Sequence, residues 1–131
     1  MNTPMVYLYN LDSEKGKKIK ALCLLLKIRV RPVKKEEYGL TLSVLTGKEV
    51  QPAQSNEAVD FDDEMILMVN FTNAMVNTFL QEFRRKGIKP VALKAVLTQS
   101  NAGWDSAQLN MELRREHEAM FKGKTAHTLP E

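Results

Sequence analysis

The chain has one cysteine, one tryptophan, two histidines and no long apolar run. Each shortage removes a class of function. Cys23 has no second cysteine to pair with, which suits a reducing compartment. It falls at helical spacing with Ile19, Leu22 and Leu26 and has no CxxC neighbour, so no thiol nucleophile or redox role is expected. His117 and His127 stand in a charged segment and a tail, and HEA at 117–119 is not the HExxH pair that zinc chemistry needs. Asp60, Asp62, Asp63 and Glu64 cluster without the glycine of a calcium loop. The motifs GxxxxGK[ST], GxGxxG and GxSxG are absent. No metal, cofactor or catalytic residue is therefore assigned. ALCLLL at 21–26 is too short to cross a bilayer, and MNTPMVYLYNLD has neither the basic start nor the long apolar core of a signal peptide. Together these predict a cytoplasmic protein without a membrane partner.

What is present suits one domain: 131 residues, 44% apolar and 27% charged. The domain is expected over residues 1–122, with 123–131 as a flexible tail. Net charge is only +3, but it is segregated. Residues 1–35 are strongly basic, 36–83 are acidic with Lys48 their one cation, and 84–131 are basic again. Opposed segments of this kind neutralise one another on a folded surface or attract a polyanion.

Short β-branched and aromatic runs alternate with amphipathic ones. Strands are expected at MVYLY (5–9), IRVRPV (28–33), EMILMVN (64–70) and VALKAVL (91–97). Arg alternation and Pro32 mark the second as an edge strand. Helices are expected after Asp12 or Ser13, from Asn73 to Lys86 with a stop at Gly87, and from Asp105 with Gln108 three residues on. The third of these should turn Leu109, Leu113 and Met120 to one side. A short helix is expected within Tyr38–Leu45, followed by an acidic loop over 48–64. Residues 5–28 also align without a gap on 65–88, setting Asn10 on Asn70, Ile19 on Phe79, Cys23 on Phe83 and Ile28 on Ile88. Two similar βα units, 5–33 and 65–97, follow from this alignment.

The order predicts an α/β fold: a four-stranded doubly wound, mostly parallel sheet, order 2-1-3-4, with helices on both faces. A ferredoxin-like α+β sandwich with an added C-terminal helix is the alternative. In the doubly wound sheet, strands one and three run the same way and their tips meet at the point where strand order reverses, where ligands bind. That rim would gather Asn10, Asp12, Asn70, Thr72, Thr98, Ser100 and Asn101 around a small polar or anionic ligand or a protein partner. Such residues between a strand and a helix also serve as turns and N-caps, which is the plainer explanation. A second reading is a nucleic-acid accessory protein using Lys15, Lys17, Lys18, Lys20, Arg29, Arg31, Lys34 and Lys35. An enzyme is a third, with Asp12 and Lys94 the only titratable groups to name. Lys94 otherwise reads as an edge-strand lysine with a buried stem, and Trp104 as a lid over the last helix. One face of strand four, and Trp104 beyond it, leave room for a homodimer.

LKAVLTQSNAGW at 93–104, with EMILMVNFTN and GIKPVALKAVL before it, resembles a family of small bacterial proteins known as domain of unknown function 3783. The likeness covers mainly residues 64–118, less firmly 5–47, and centres on the TxSNxxW junction between strand and helix. It implies a bacterial cytoplasmic protein and carries over no activity, cofactor or catalytic residue.

Overall fold

The computed structural model describes residues 3–48 and 60–128, with side chains described to Met120. The acidic loop expected over 48–64 therefore lies largely outside the described residues. The elements are β1 (Met5–Tyr9), α1 (Glu14–Leu25), β2 (Arg29–Pro32), a 3-10 turn (Lys35–Glu37), α2 (Leu42–Leu45), β3 (Met65–Val69), α3 (Asn73–Arg85), β4 (Leu93–Val96) and α4 (Ser106–Thr128). α4 continues through residues 123–128, which the sequence places in the tail.

The sheet has the order β2-β1-β3-β4. β1 pairs with β2 in parallel, and so does β3 with β4. This direct pairing excludes the ferredoxin-like alternative, in which helix-linked strands are split by another. The central pair, β1 and β3, is antiparallel, with Met5 opposite Val69 and Tyr9 opposite Met65. The expectation that these two strands run the same way is thus overturned. The path of the chain supplies the reason. It leaves β2 beside the tip of β1, reaches the opposite end of the sheet at Lys48, and is back beside Asn10 by Phe61. An out-and-back excursion returns β3 reversed, whereas a single crossover would have delivered it parallel.

Strand alternation sorts the core into two layers. Val6, Leu8, Ile66 and Met68 face α1 and α3, where they meet Ile19, Leu22, Cys23, Phe79 and Phe83. Tyr7, Tyr9, Met65, Leu67 and Val69 face Tyr38, α2 and α4, where Leu42 and Leu109 close the second layer. Helices therefore cover both faces, as expected. Strict alternation over 91–97 would put Val91 with Leu93, Ala95 and Leu97, but it joins the α1/α3 layer, because regular alternation begins only at Leu93. Met120 does not join the side of α4 expected of it: it is 65% exposed, since α4 has left the sheet by that point.

α1 and α3 end alike. Lys27 and Gly87 take positive φ, and the amides of Ile28 and Ile88 reach back to the carbonyls of Cys23 and Phe83. Such left-handed C-caps supply partners for otherwise orphaned carbonyls.

Candidate functional site

The antiparallel centre sends the two asparagine tips to opposite ends of the sheet, so the expected convergence of Asn10 and Asp12 with Asn70, Thr72, Thr98, Ser100 and Asn101 does not occur. Each tip instead performs the same structural task. Asn10 and Asn70 have φ of 58° and 62°, a left-handed conformation that asparagine tolerates better than most residues. Asn10 Nδ2 donates to the carbonyls of Phe61 and Asp63, each at 3.0 Å, and its Oδ1 accepts from the Tyr38 hydroxyl. Asn70 Nδ2 donates to the Thr3 carbonyl at 3.0 Å. Asp63 and Thr3 each stand two residues ahead of a central strand, so each asparagine ties down the start of its neighbour. Asn70→Ala should then cost about 2 kcal/mol, from left-handed strain plus a lost hydrogen bond. Asn70→Gly removes only the bond and should cost about 1 kcal/mol or less. Equal urea midpoints for the two variants would contradict this assignment.

Five of the seven candidates remain together at the carboxyl ends of β3 and β4, where one caps a helix and two brace a turn. Thr72 Oγ1 accepts from the Met75 amide at the start of α3. Thr98 and Asn101 bond reciprocally: Asn101 Oδ1 accepts from the Thr98 amide at 2.8 Å, and Thr98 Oγ1 accepts from the Asn101 amide. Asn101 is buried, and its Nδ2 donates to the Val96 carbonyl. Ser100 is exposed at the rim, and Asp12 is exposed at the far end.

The rest of the TxSNxxW junction anchors neighbouring segments. The carbonyls of Ala102 and Trp104 accept from the amides of Ser43 and Leu42, fastening α2. Asp105 caps α4 through the Gln108 amide, as its spacing predicts. Trp104 packs half-buried on the second core layer, in keeping with a lid. Ser106 is fully buried, and its hydroxyl lies 2.7 Å from that of Tyr9, a partner not legible from the sequence.

A cavity of about 370 Å³ opens where these caps meet, lined by Lys48, Asn70, Phe71, Leu97, Thr98 and Gln99 among others. Sequence reasoning missed Lys48 and Gln99. The signal for Lys48 was its isolation, as the one cation of the acidic middle third. The acidic cluster itself is partly neutralised, with Asp60 and Asp62 both paired to Lys35.

Lys94 lies on the α3 side of β4 in a hollow of about 210 Å³ with Leu80, Phe83, Ile88 and Val91. Its Nζ donates to the Val91 carbonyl at 2.6 Å. Burial lowers its pKa below the usual 10.5. The unfolded chain then holds more protons in the interval between the two values, so this lysine opposes folding at neutral pH and ceases to do so as pH rises towards 10.5. Lys94→Met should accordingly be favoured relative to wild type at pH 7 and lose that advantage at alkaline pH. A stability difference that stays constant across the window would contradict this. Burial pushes the Cys23 thiol up to about 12, which keeps it protonated and unreactive.

The basic residues considered for nucleic acid do not form one surface. Lys15, Lys17, Lys18 and Lys20 belong to α1, whereas Arg29 and Arg31 stand opposite Met5 and Tyr7 in the sheet and so take the other face. Lys15, Lys17, Arg31 and Lys35 are engaged with Glu64, Glu14, Glu37 and the Asp60/Asp62 pair.

Among the described residues no helix is long and apolar enough to cross a membrane. No curated protein and no solved structure matches the chain. Residues 64–120, which span β3, α3, β4 and the packed part of α4, match the model of a family described as a domain of unknown function, DUF3783. That segment, which includes the TxSNxxW junction, is where the chain is similar to the DUF3783 family.

Proposed function

We propose that this chain is a small binding module that holds a small polar or anionic ligand at the carboxyl ends of β3 and β4. In open α/β sheets ligands sit beyond the carboxyl ends of parallel strands. This topology makes two such places, one for each parallel pair. Beside β1 and β2 the chain's own backbone occupies Asn10, under the stacked rings of Tyr38 and Phe61. Beside β3 and β4 the cavity is open, with Lys48 supplying a cation and Gln99 and Thr98 supplying polar groups. That open cavity is the observation that supports the reading. Asn10 and Asp12 lie at the other end and are left out of it. The proposal includes a bacterial cytoplasmic setting, a domain of two similar βα units, and no catalytic step.

Inorganic phosphate and citrate are suitable first probes, with thermal denaturation as the readout. One of them should raise Tm with concentration, and Lys48→Ala or Gln99→Ala should abolish the rise while leaving the ligand-free Tm unchanged. Both side chains are exposed, so neither change should disturb the fold. A shift that survives both substitutions would place the ligand elsewhere.

A further inference from the structure

We infer that the seam between α1 and α3 is a docking groove for an acidic amphipathic helix of a partner protein. Two hollows open along this seam. One, of about 380 Å³, lies between Lys18, Ala21, Leu22 and Leu25 of α1 and Lys86 and Ile88 beyond α3. The other, of about 200 Å³, lies between Leu26 and Ile28 on one side and Ala74, Met75 and Thr78 on the other. α1 and α3 each run antiparallel to their own strand, and those strands oppose each other, so the two helices frame a continuous antiparallel seam. Neither hollow shares a lining residue with the ligand cavity.

The surface around them is unusually apolar for an exposed helix. Leu24 is 80% and Leu25 63% exposed, although the same helix buries Ile19, Leu22 and Cys23 against the sheet. Contiguous exposed leucines beside apolar hollows mark an interaction surface. Charge then selects the occupant. Lys18 and Lys86 flank the larger hollow, with Lys20, Lys27 and Lys89 exposed nearby in the chain, and none of these five forms an ion pair among the described residues. The acids on the two helices are already matched, Glu14 by Lys17 and Glu82 by Arg85. The unmatched charge is therefore positive.

A positive rim alone would suit nucleic acid or anionic lipid as well. The concave floor favours protein. Two apolar hollows in line accept side chains spaced along a helix at i, i+3, i+4 and i+7. A phosphate chain offers no aliphatic anchor, and a bilayer surface would take up Leu24 and Leu25 but leave both hollows unfilled. A helix with leucines on one stripe and glutamates flanking it satisfies both the floor and the rim.

The test uses the full chain and two synthetic helical peptides with the same leucine stripe, one flanked by glutamates and one by lysines. Phosphatidylglycerol vesicles and single-stranded oligothymidine serve as the competing classes. Fluorescence anisotropy should show binding of the glutamate peptide and not of the lysine peptide. Leu25→Asp should weaken it by about tenfold or more, as for a central apolar anchor. Lys18→Glu should weaken it less and flatten its salt dependence. Both positions are exposed, and retention of the wild-type Tm in each variant separates docking from folding. Lys48→Ala should leave peptide binding intact, which keeps this result independent of the ligand cavity. No binding of the glutamate peptide, equal binding of the lysine peptide, or tight binding to vesicles or oligothymidine that Leu25→Asp abolishes would each overturn the inference.

Discussion

Gly16→Ala should destabilise the protein by about 3 kcal/mol or more, the upper end of what overpacking costs. Helix propensity has the opposite sign, assigning glycine to alanine inside a helix a gain of about 1 kcal/mol. Tertiary structure reverses it. A Cβ at Gly16 would lie 1.7 Å from the carbonyl oxygen of Leu11 and 2.8 Å from its carbonyl carbon. Those are backbone atoms and cannot swing aside. Leu11 is itself buried in the core, and the turn leading to it starts from the left-handed Asn10. Relief would displace Leu11 or lift the first turn of α1, breaking the bond from the Gly16 amide to the Ser13 hydroxyl. Gly47→Ala is the internal comparison. No atom lies within 4 Å of a Cβ there, so only the strain of its positive φ, about 1 kcal/mol, applies. If both variants unfold at the same urea concentration, the close approach of Leu11 to α1 is wrong.

Phe79→Ala should cost about 4 kcal/mol, within the range for removing a buried aromatic ring. Phe79 is fully buried between the sheet and α3, and its ring meets Phe71 and Phe83 edge-on at 5.8 and 5.0 Å. Truncation removes both aromatic contacts and leaves a cavity under the α3 side of β3. Phe79→Leu fills most of that space and should cost about 1–2 kcal/mol. Chemical denaturation of the pair checks this; an alanine variant no worse than the leucine one would mean that α3 collapses onto the sheet without its ring.

Much of this fold is legible locally. Period-two and period-3.6 apolar patterns place all four strands and the three long helices within a few residues of their observed bounds, except the far end of α4, because burial on one face acts within each segment. Arg29, Arg31 and Pro32 identify an edge strand because a central strand admits neither proline nor alternating charge. Asn10 and Asn70 each end a strand in a left-handed turn. Their function as a shared site was not legible, because an asparagine that ties down a neighbouring strand and one that holds a ligand are the same residue in the same kind of turn. Thr98 and Asn101 illustrate this further: each looks available in sequence, and each is engaged by the other in space.

Side-chain patterning within one element or between adjacent ones is enough to give the class of fold, the strand order and most of the core. The direction of β3 depends instead on how distant segments meet. MILMV is apolar on both faces and would pair equally well with β1 either way round. Two fixed points reverse it: Lys48 stands at the far end of the sheet, and Phe61 is back beside Asn10. That reversal separates the two asparagine tips and brings an isolated lysine to the open end of β3 and β4.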